Sequence, residues 1–180
     1  MTPAMSPDAD QLSKVQPVIP ALRRYARARL HYRDDADDLV QDVLERALAR
    51  WHQRRADGSV RAWLFTILHN LAMDRLRRRT RRGWAEPIEG VPDERLAIPP
   101  AQGAAVDQRD VLALVALLPD EQRSVLLLVG VEELSYAEAA NVLGVPQGTV
   151  MSRLSRARER LRRMVDDEQP AITSGLRIVR

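Results

Sequence analysis

Absences narrow the reading of this chain of 180 residues first. It has no cysteine, so neither a disulfide framework nor a thiolate metal site can form. No apolar run reaches the roughly 20 residues needed to cross a bilayer. The opening "MTPAMSPDADQLSKV" has no basic start and no hydrophobic stretch, which argues against a secretory leader. Strand signals are weak, because apolar and polar residues nowhere alternate for long, and helical spacing dominates. The three histidines, His31, His52 and His69, stand at no metal-ligand spacing, and His69 and Asp74 do not share a helix face. No nucleophile motif or phosphate-cradling glycine loop is present. These absences argue against an enzyme, a metal, a cofactor or a small-molecule substrate. The expectation is a soluble cytoplasmic protein.

What is present is arginine. Apolar residues make up 45% of the chain, enough to bury a core, and the formal net charge is only +3. The total hides a segregation. Of 28 basic residues, Lys14 is the single lysine. Six arginines crowd into "RLRRRTRR" (75–82) and six more fall between 153 and 163, while acids gather in "DDADD" (34–38). A planar, permanently charged guanidinium suits phosphate, which it can contact through two donors at once. The alternative, two merely solvated helical faces, has to explain the same segregation twice.

Periodicity predicts a first helix over about 17–31 and a second over about 36–51, the latter preceded by acids that suit a helix N-terminus. Leu39, Val43 and Ala47 form one stripe of it, with Val40, Leu44, Leu48 and Trp51 beside them. Asp57-Gly58 marks a turn. A long helix over about 60–80 follows, edged by Trp63, Ile67 and Leu71 and by Leu64, Leu68 and Ala72, and its last turns become the first arginine cluster. Residues 83–106 then hold four prolines and three glycines without helical period, the composition of a linker. Stretched, those residues reach roughly 80 Å; as a coil they span about 27 Å.

The second half is helical again. "DVLALVALL" (110–118) reads as a short apolar helix, and Pro119 opens another, "PDEQRSVLLLVGVE", with acids in its first turn. "SYAE" (135–138) fits a capping box, and Gly144 fits a left-handed cap at the end of "YAEAANVL". The next helix places Val150, Leu154, Ala157 and Leu161 on one buried stripe. Arg153, Arg156, Arg160 and Arg163 fall off it. A short helix, a glycine turn and a second helix make a helix-turn-helix. In such readers the N-terminal part of the second helix meets base edges, here Gln147, Gly148, Thr149 and Ser152. The arginines farther along meet phosphates and fix register. The expected fold class is all-α: two small helical domains joined by a flexible linker, the second with a helix-turn-helix.

"LPDEQRSVLLLVGVEELSYAEAANVLGVPQGTVMSRLSRARERLRR" resembles the promoter-binding C-terminal domain of bacterial sigma factors, in particular the small extracytoplasmic-function (ECF) class. "DADDLVQDVLERALARW" followed by "VRAWLFTILHNLAMDRLRRRTRR" is similar to their N-terminal domain. The resemblance spans about 20–82 and 108–165. It implies an N-terminal domain (15–82), a linker (83–106) and a C-terminal domain (107–166). It also implies bacterial core RNA polymerase and promoter DNA as partners, and an anti-sigma factor as inhibitor. On this resemblance Asp38, Leu39, Gln41 and Asp42 grip the polymerase. Trp63, Asn70, Arg75, Arg77 and Arg78 serve the minus-ten element, and the loop 52–59 pockets a flipped base. Thr149, Met151, Ser152, Arg153, Ser155 and Arg156 serve the minus-thirty-five element. Met151 departs from the arginine expected there, and it offers apolar contact in place of a bidentate grip on guanine.

The residues alone leave other readings open. The acids at 34–42 can simply favour their own helix terminus, and Trp63 can be a core residue. A stand-alone helix-turn-helix regulator needs only the second half and leaves the first unexplained. The two promoter elements of the sigma reading lie roughly two helical turns, about 70 Å, apart. The linker is therefore expected to be nearly extended on DNA, and the free domains are expected to fold together and conceal their reading faces.

Overall fold

The computed structural model describes residues 9–30, 33–55, 58–81 and 113–173, with backbone alone at 33 and 166–173. Regular structure among the described residues is entirely helical. The predicted linker, 83–106, lies outside them. So do the first residues of the apolar helix expected at 110–118, of which the turn 113–116 is helical.

The chain enters earlier and less smoothly than periodicity suggested. Helix α1 (Ala9–Val15) leads through a 3-10 turn (Gln16–Val18) into α2 (Ile19–Arg29). Pro17 and Pro20 explain the break. Each sits in the first turn of its segment, where a missing N–H costs nothing but continuation of the preceding helix is blocked. Helix α3 (Arg33–Ala49) starts with Asp34 and Asp35 in its first turn, where the helix dipole favours acids. A 3-10 turn (Trp51–Gln53) follows, and α4 (Val60–Arg81) is opened by Ser59, whose hydroxyl accepts from the Ala62 N–H at 3.1 Å.

Helices α2, α3 and α4 pack pairwise. Their apolar stripes bury Leu22, Ala26, Leu39, Val43, Ala47, Leu64, Phe65 and Leu68 completely. Tyr25 meets Phe65 edge to face at 5.6 Å, the favourable geometry for two ring quadrupoles.

In the second half, α5 (Asp120–Val125) does not run on as an α-helix. It widens into a π-helical turn over Leu126–Val131, seen in the Glu132 N–H reaching back to the Leu127 carbonyl at 2.9 Å. The wider turn lets consecutive Leu127 and Leu128 both be buried, which the 3.6-residue period does not favour. Glu133 then takes a left-handed conformation, φ 54°, uncommon for a residue with a side chain. The turn leaves Glu132 facing inward, 1% exposed.

Helix α6 (Tyr136–Leu143) carries the expected box. The Glu138 N–H donates to the Ser135 hydroxyl at 3.2 Å, and the Ser135 N–H donates to the Glu138 carboxylate at 2.9 Å. Gly144 closes it at φ 65°. Helix α7 (Gln147–Thr173) buries Val150, Leu154 and Ala157, with Leu161 half-buried, as the spacing predicted.

The halves are not separate bodies. Helix α4 packs against α6, α2 touches the π turn, and buried side chains from both halves form one continuous cluster. Phe65→Ala is expected to cost about 3–5 kcal/mol through the cavity it leaves. Ser135→Ala is expected to cost about 1 kcal/mol through the lost cap. Urea unfolding followed by circular dichroism measures both.

Candidate functional site

Two charged surfaces stand out, one in each half. On α3, Asp38 and Gln41 are exposed, and the Gln41 amide donates to Glu45 at 3.1 Å. Leu39 corrects the sequence reading: it is fully buried, so its contribution is to pack α3 and orient its neighbours, with no surface left for a partner. Asp42 is also not a free ridge residue. It accepts from Arg75 of α4 at 2.6 Å, while Arg75 also donates to the Asp35 carbonyl at 2.8 Å, and Arg79 pairs with the Asp35 carboxylate. Acids expected to meet one partner and arginines expected to meet another therefore neutralise each other across α3 and α4. Arg77 and Arg78 remain exposed, Arg77 with only a loose pair to Asp74 at 3.8 Å. Asn70 is exposed on the same helix.

Trp63 is half-buried and meets Trp51 edge to face at 5.9 Å, and Arg54 stacks over Trp51 at 5.1 Å. Its surroundings are those of a packing residue at the rim of the core. In the loop at 52–59, where 56 and 57 lie outside the described residues, Arg54 donates to the carbonyls of Arg55 and Gly58 at 2.8 and 3.1 Å.

The start of α7 presents Met151, Ser152, Ser155 and Arg156 to solvent, with Met151 51% exposed. Thr149 is half-buried, and its carbonyl accepts from the Ser152 hydroxyl at 3.1 Å. Arg153 departs from expectation. It is half-buried and bound to Glu121 of α5 at 2.8 Å, so it ties the two helices together instead of projecting outward. Between α5 and α7 lies an open cleft of about 320 Å³, lined by Gln122, Ser155, Arg156, Glu159, Arg160 and Arg163. Gln122 was not foreseen. It belongs to another helix, and no spacing rule links it to the arginines of α7.

Residues 15–69 match the family described as the Sigma2 domain of PhyR, and residues 108–161 match Sigma-70, region 4. An ECF RNA polymerase sigma factor, EcfG of Rhodopseudomonas palustris, is 39% identical over 143 residues, covering 79% of this chain and 78% of its own length. The ECF RNA polymerase sigma factor SigM of Mycobacterium tuberculosis is 38% identical over 146 residues, covering 80% and 71%. The chain belongs to the ECF RNA polymerase sigma factors. Among solved structures, the sigma factor RpoE in complex with the anti-sigma factor NepR from Bartonella quintana superposes with a TM-score of 0.78 at 35% identity, covering 88% of this chain and 98% of its own. CnrH in complex with the cytosolic domain of CnrY has a TM-score of 0.64 at 28% identity, covering 88% and 91%.

Where the halves of this sigma factor meet, polar groups are buried together. Arg29, 2% exposed, donates to the Asp120 carboxylate at 2.5 and 2.9 Å. Burial pushes the Asp120 carboxyl up, but the hydrogen bond and charge of Arg29, with Arg123 behind it, leave it below the ordinary carboxylate value. Burial raises the Tyr25 phenol to about 12, so it stays neutral and can donate to His69 Nδ1 at 3.0 Å. Burial, followed by the Arg29 charge, lowers the His69 imidazole to about 4.

The unfolded chain, with a histidine near 6.5, therefore takes up the His69 proton before the folded chain does. Stability is expected to fall as the pH drops from about 6.5 towards 4, by about 3 kcal/mol from this residue alone. Unfolding free energies measured across that window test this, and His69→Gln is expected to flatten the slope.

Proposed function

We propose that this sigma factor joins bacterial core RNA polymerase and directs it to promoters through two reading surfaces. The N-terminal module (15–82) grips the polymerase with Asp38, Gln41 and Asp42 of α3 and serves the minus-ten element with Asn70, Arg75, Arg77 and Arg78. The C-terminal module (107–166) reads the minus-thirty-five element with Thr149, Met151, Ser152, Ser155 and Arg156. The observation that carries the reading is the start of α7. It offers a row of exposed side chains, while Val150, Leu154 and Ala157 on its other face are locked into the core. Such a helix can enter a major groove without disturbing its own fold.

Arg160 and Arg163 flank the same face and supply charge for backbone phosphates, with Gln122 across the cleft. Trp63 supports the minus-ten surface from below, and Leu39 and Arg153 act by positioning the helices that carry the contacts. Among the described residues no cluster of His, Asp and Glu could hold a metal, and no helix is long and apolar enough to cross a membrane. As in a sigma factor that acts beside the polymerase, the chain's place is the cytoplasm, and nucleotide addition belongs to the polymerase. RpoE was solved in complex with the anti-sigma factor NepR and CnrH with the cytosolic domain of CnrY, which supports an anti-sigma factor as this chain's regulator too.

The purified chain is expected to co-elute with core polymerase, and Asp38→Arg to weaken that association about tenfold or more. Unchanged retention of the variant on immobilised polymerase contradicts the assigned contact. Selection of promoters from a randomised library is expected to give Met151→Arg a new preference for guanine at one position of the minus-thirty-five element; an unchanged preferred sequence removes Met151 from the readers.

A further inference from the structure

We infer that Glu132 is the tongue of an ionic latch that holds the two modules closed in the free chain, and that this latch has to open before the chain can occupy both promoter elements. The second clause rests on the sigma-factor reading; the first does not.

The latch is built of acids from one module and arginines from the other. Arg24 of α2 grips Glu132 through two parallel donors, Nε to Oε1 at 2.8 Å and Nη2 to Oε2 at 2.7 Å. Arg61 of α4 adds Nη2 to Oε2 at 3.1 Å and to the Glu132 carbonyl at 2.9 Å. A second pair, Arg29 to Asp120, closes the other end of the seam at 2.5 and 2.9 Å. Glu132 is 1% exposed and Arg29 2% exposed. With one member of each pair withdrawn from water, these contacts are stronger than fully exposed ion pairs, which contribute little to stability. The π turn and the left-handed Glu133 are the backbone devices that aim Glu132 inward.

An ion pair of this kind suits a joint that must part. Glu132 and Arg29 gave up their water, whereas Arg24, Arg61 and Asp120 keep 48, 39 and 43% of their side-chain exposure, so part of the attraction is offset by the desolvation of the buried member and is recovered as hydration when the seam opens. Removing one partner while the seam stays shut is a different matter, because the remaining charge is buried without a counter-ion. The latch thus specifies one closed register more than it adds raw stability.

Closure does not act by concealing the reading faces, contrary to the expectation from sequence. Asn70, Met151, Ser152, Ser155 and Arg156 are all exposed in the closed chain. It acts on spacing. Modules bound to each other by side chains 2.7 Å apart cannot place their reading faces on DNA elements about 70 Å apart.

The absence of cysteine allows a direct test. Cysteines introduced at exposed Arg46 of α3 and Arg158 of α7 carry spin labels without background, and pulsed dipolar spectroscopy on the full chain, free of polymerase, reads the distance between modules. The parent is expected to give one narrow distribution. Glu132→Gln and, separately, Arg24→Ala are expected to lengthen and broaden it, raising the open-to-closed ratio about tenfold. Arg24 is half-exposed, so Arg24→Ala leaves no hole in either core, and circular dichroism verifies that helix content is kept. A broad distribution in the parent, or narrow parent-like distributions in both variants, overturns the latch. Failure of the chain to bind polymerase leaves this measurement untouched and bears only on the proposed function.

Discussion

A carboxylate at 1% exposure has no water to stabilise it, and Glu132 is held by two guanidiniums that come from elsewhere in the chain. That requirement places α2 and α4 against the π turn and α6. With the seam formed, Arg29 and Asp120 fall within hydrogen-bond distance, Tyr25 is closed off from solvent with the half-buried His69 as its partner, and the apolar residues of both halves join in one cluster. Hydrophobic contact is indifferent to small sliding, whereas a bidentate fork is not. The ion pairs thus set the register in which the apolar surfaces meet.

Function follows from how the charged groups are divided between inside and outside. Arginines that pair across the seam or between helices, Arg24, Arg29, Arg61 and Arg153, bind acids of the same chain and act as structural ties. Arg77 and Arg78 on α4 and Arg156 and Arg160 on α7 stay exposed, the positions from which a phosphate could be met. Composition alone merges the two sets, which is why an arginine count overstates the nucleic-acid surface.

Local features were legible in the sequence. The capping box at Ser135, the left-handed Gly144 and the buried stripe of α7 depend on residues within a few positions of one another, and each formed as its spacing implied. The family resemblance was likewise carried by contiguous stretches. What escaped was non-local or cooperative. The π turn exists because Leu127 and Leu128 are both taken up by the core, which no helical period announces. Arg153 could be assigned to solvent from its angle on the helix, but Glu121 on another element claims it. Leu39 was grouped with the polar residues around it by a motif, although its own stripe already pointed inward. The concealment expected of the closed state failed because the seam uses different helix faces from those that read DNA.

The Asp42–Arg75 contact joins residues with two different proposed assignments, and each serves as the other's counter-charge. A cation from a large protein partner that occupies Asp42 leaves the guanidinium of Arg75 short of an anion, and a backbone phosphate is the group that fills such a vacancy. Thermodynamic reciprocity then runs both ways: nucleic acid that draws Arg75 off α3 bares Asp42 for the partner. On the proposed assignments, polymerase docking and contact with the minus-ten element are tied through this one ion pair, with no change of backbone needed to carry the message.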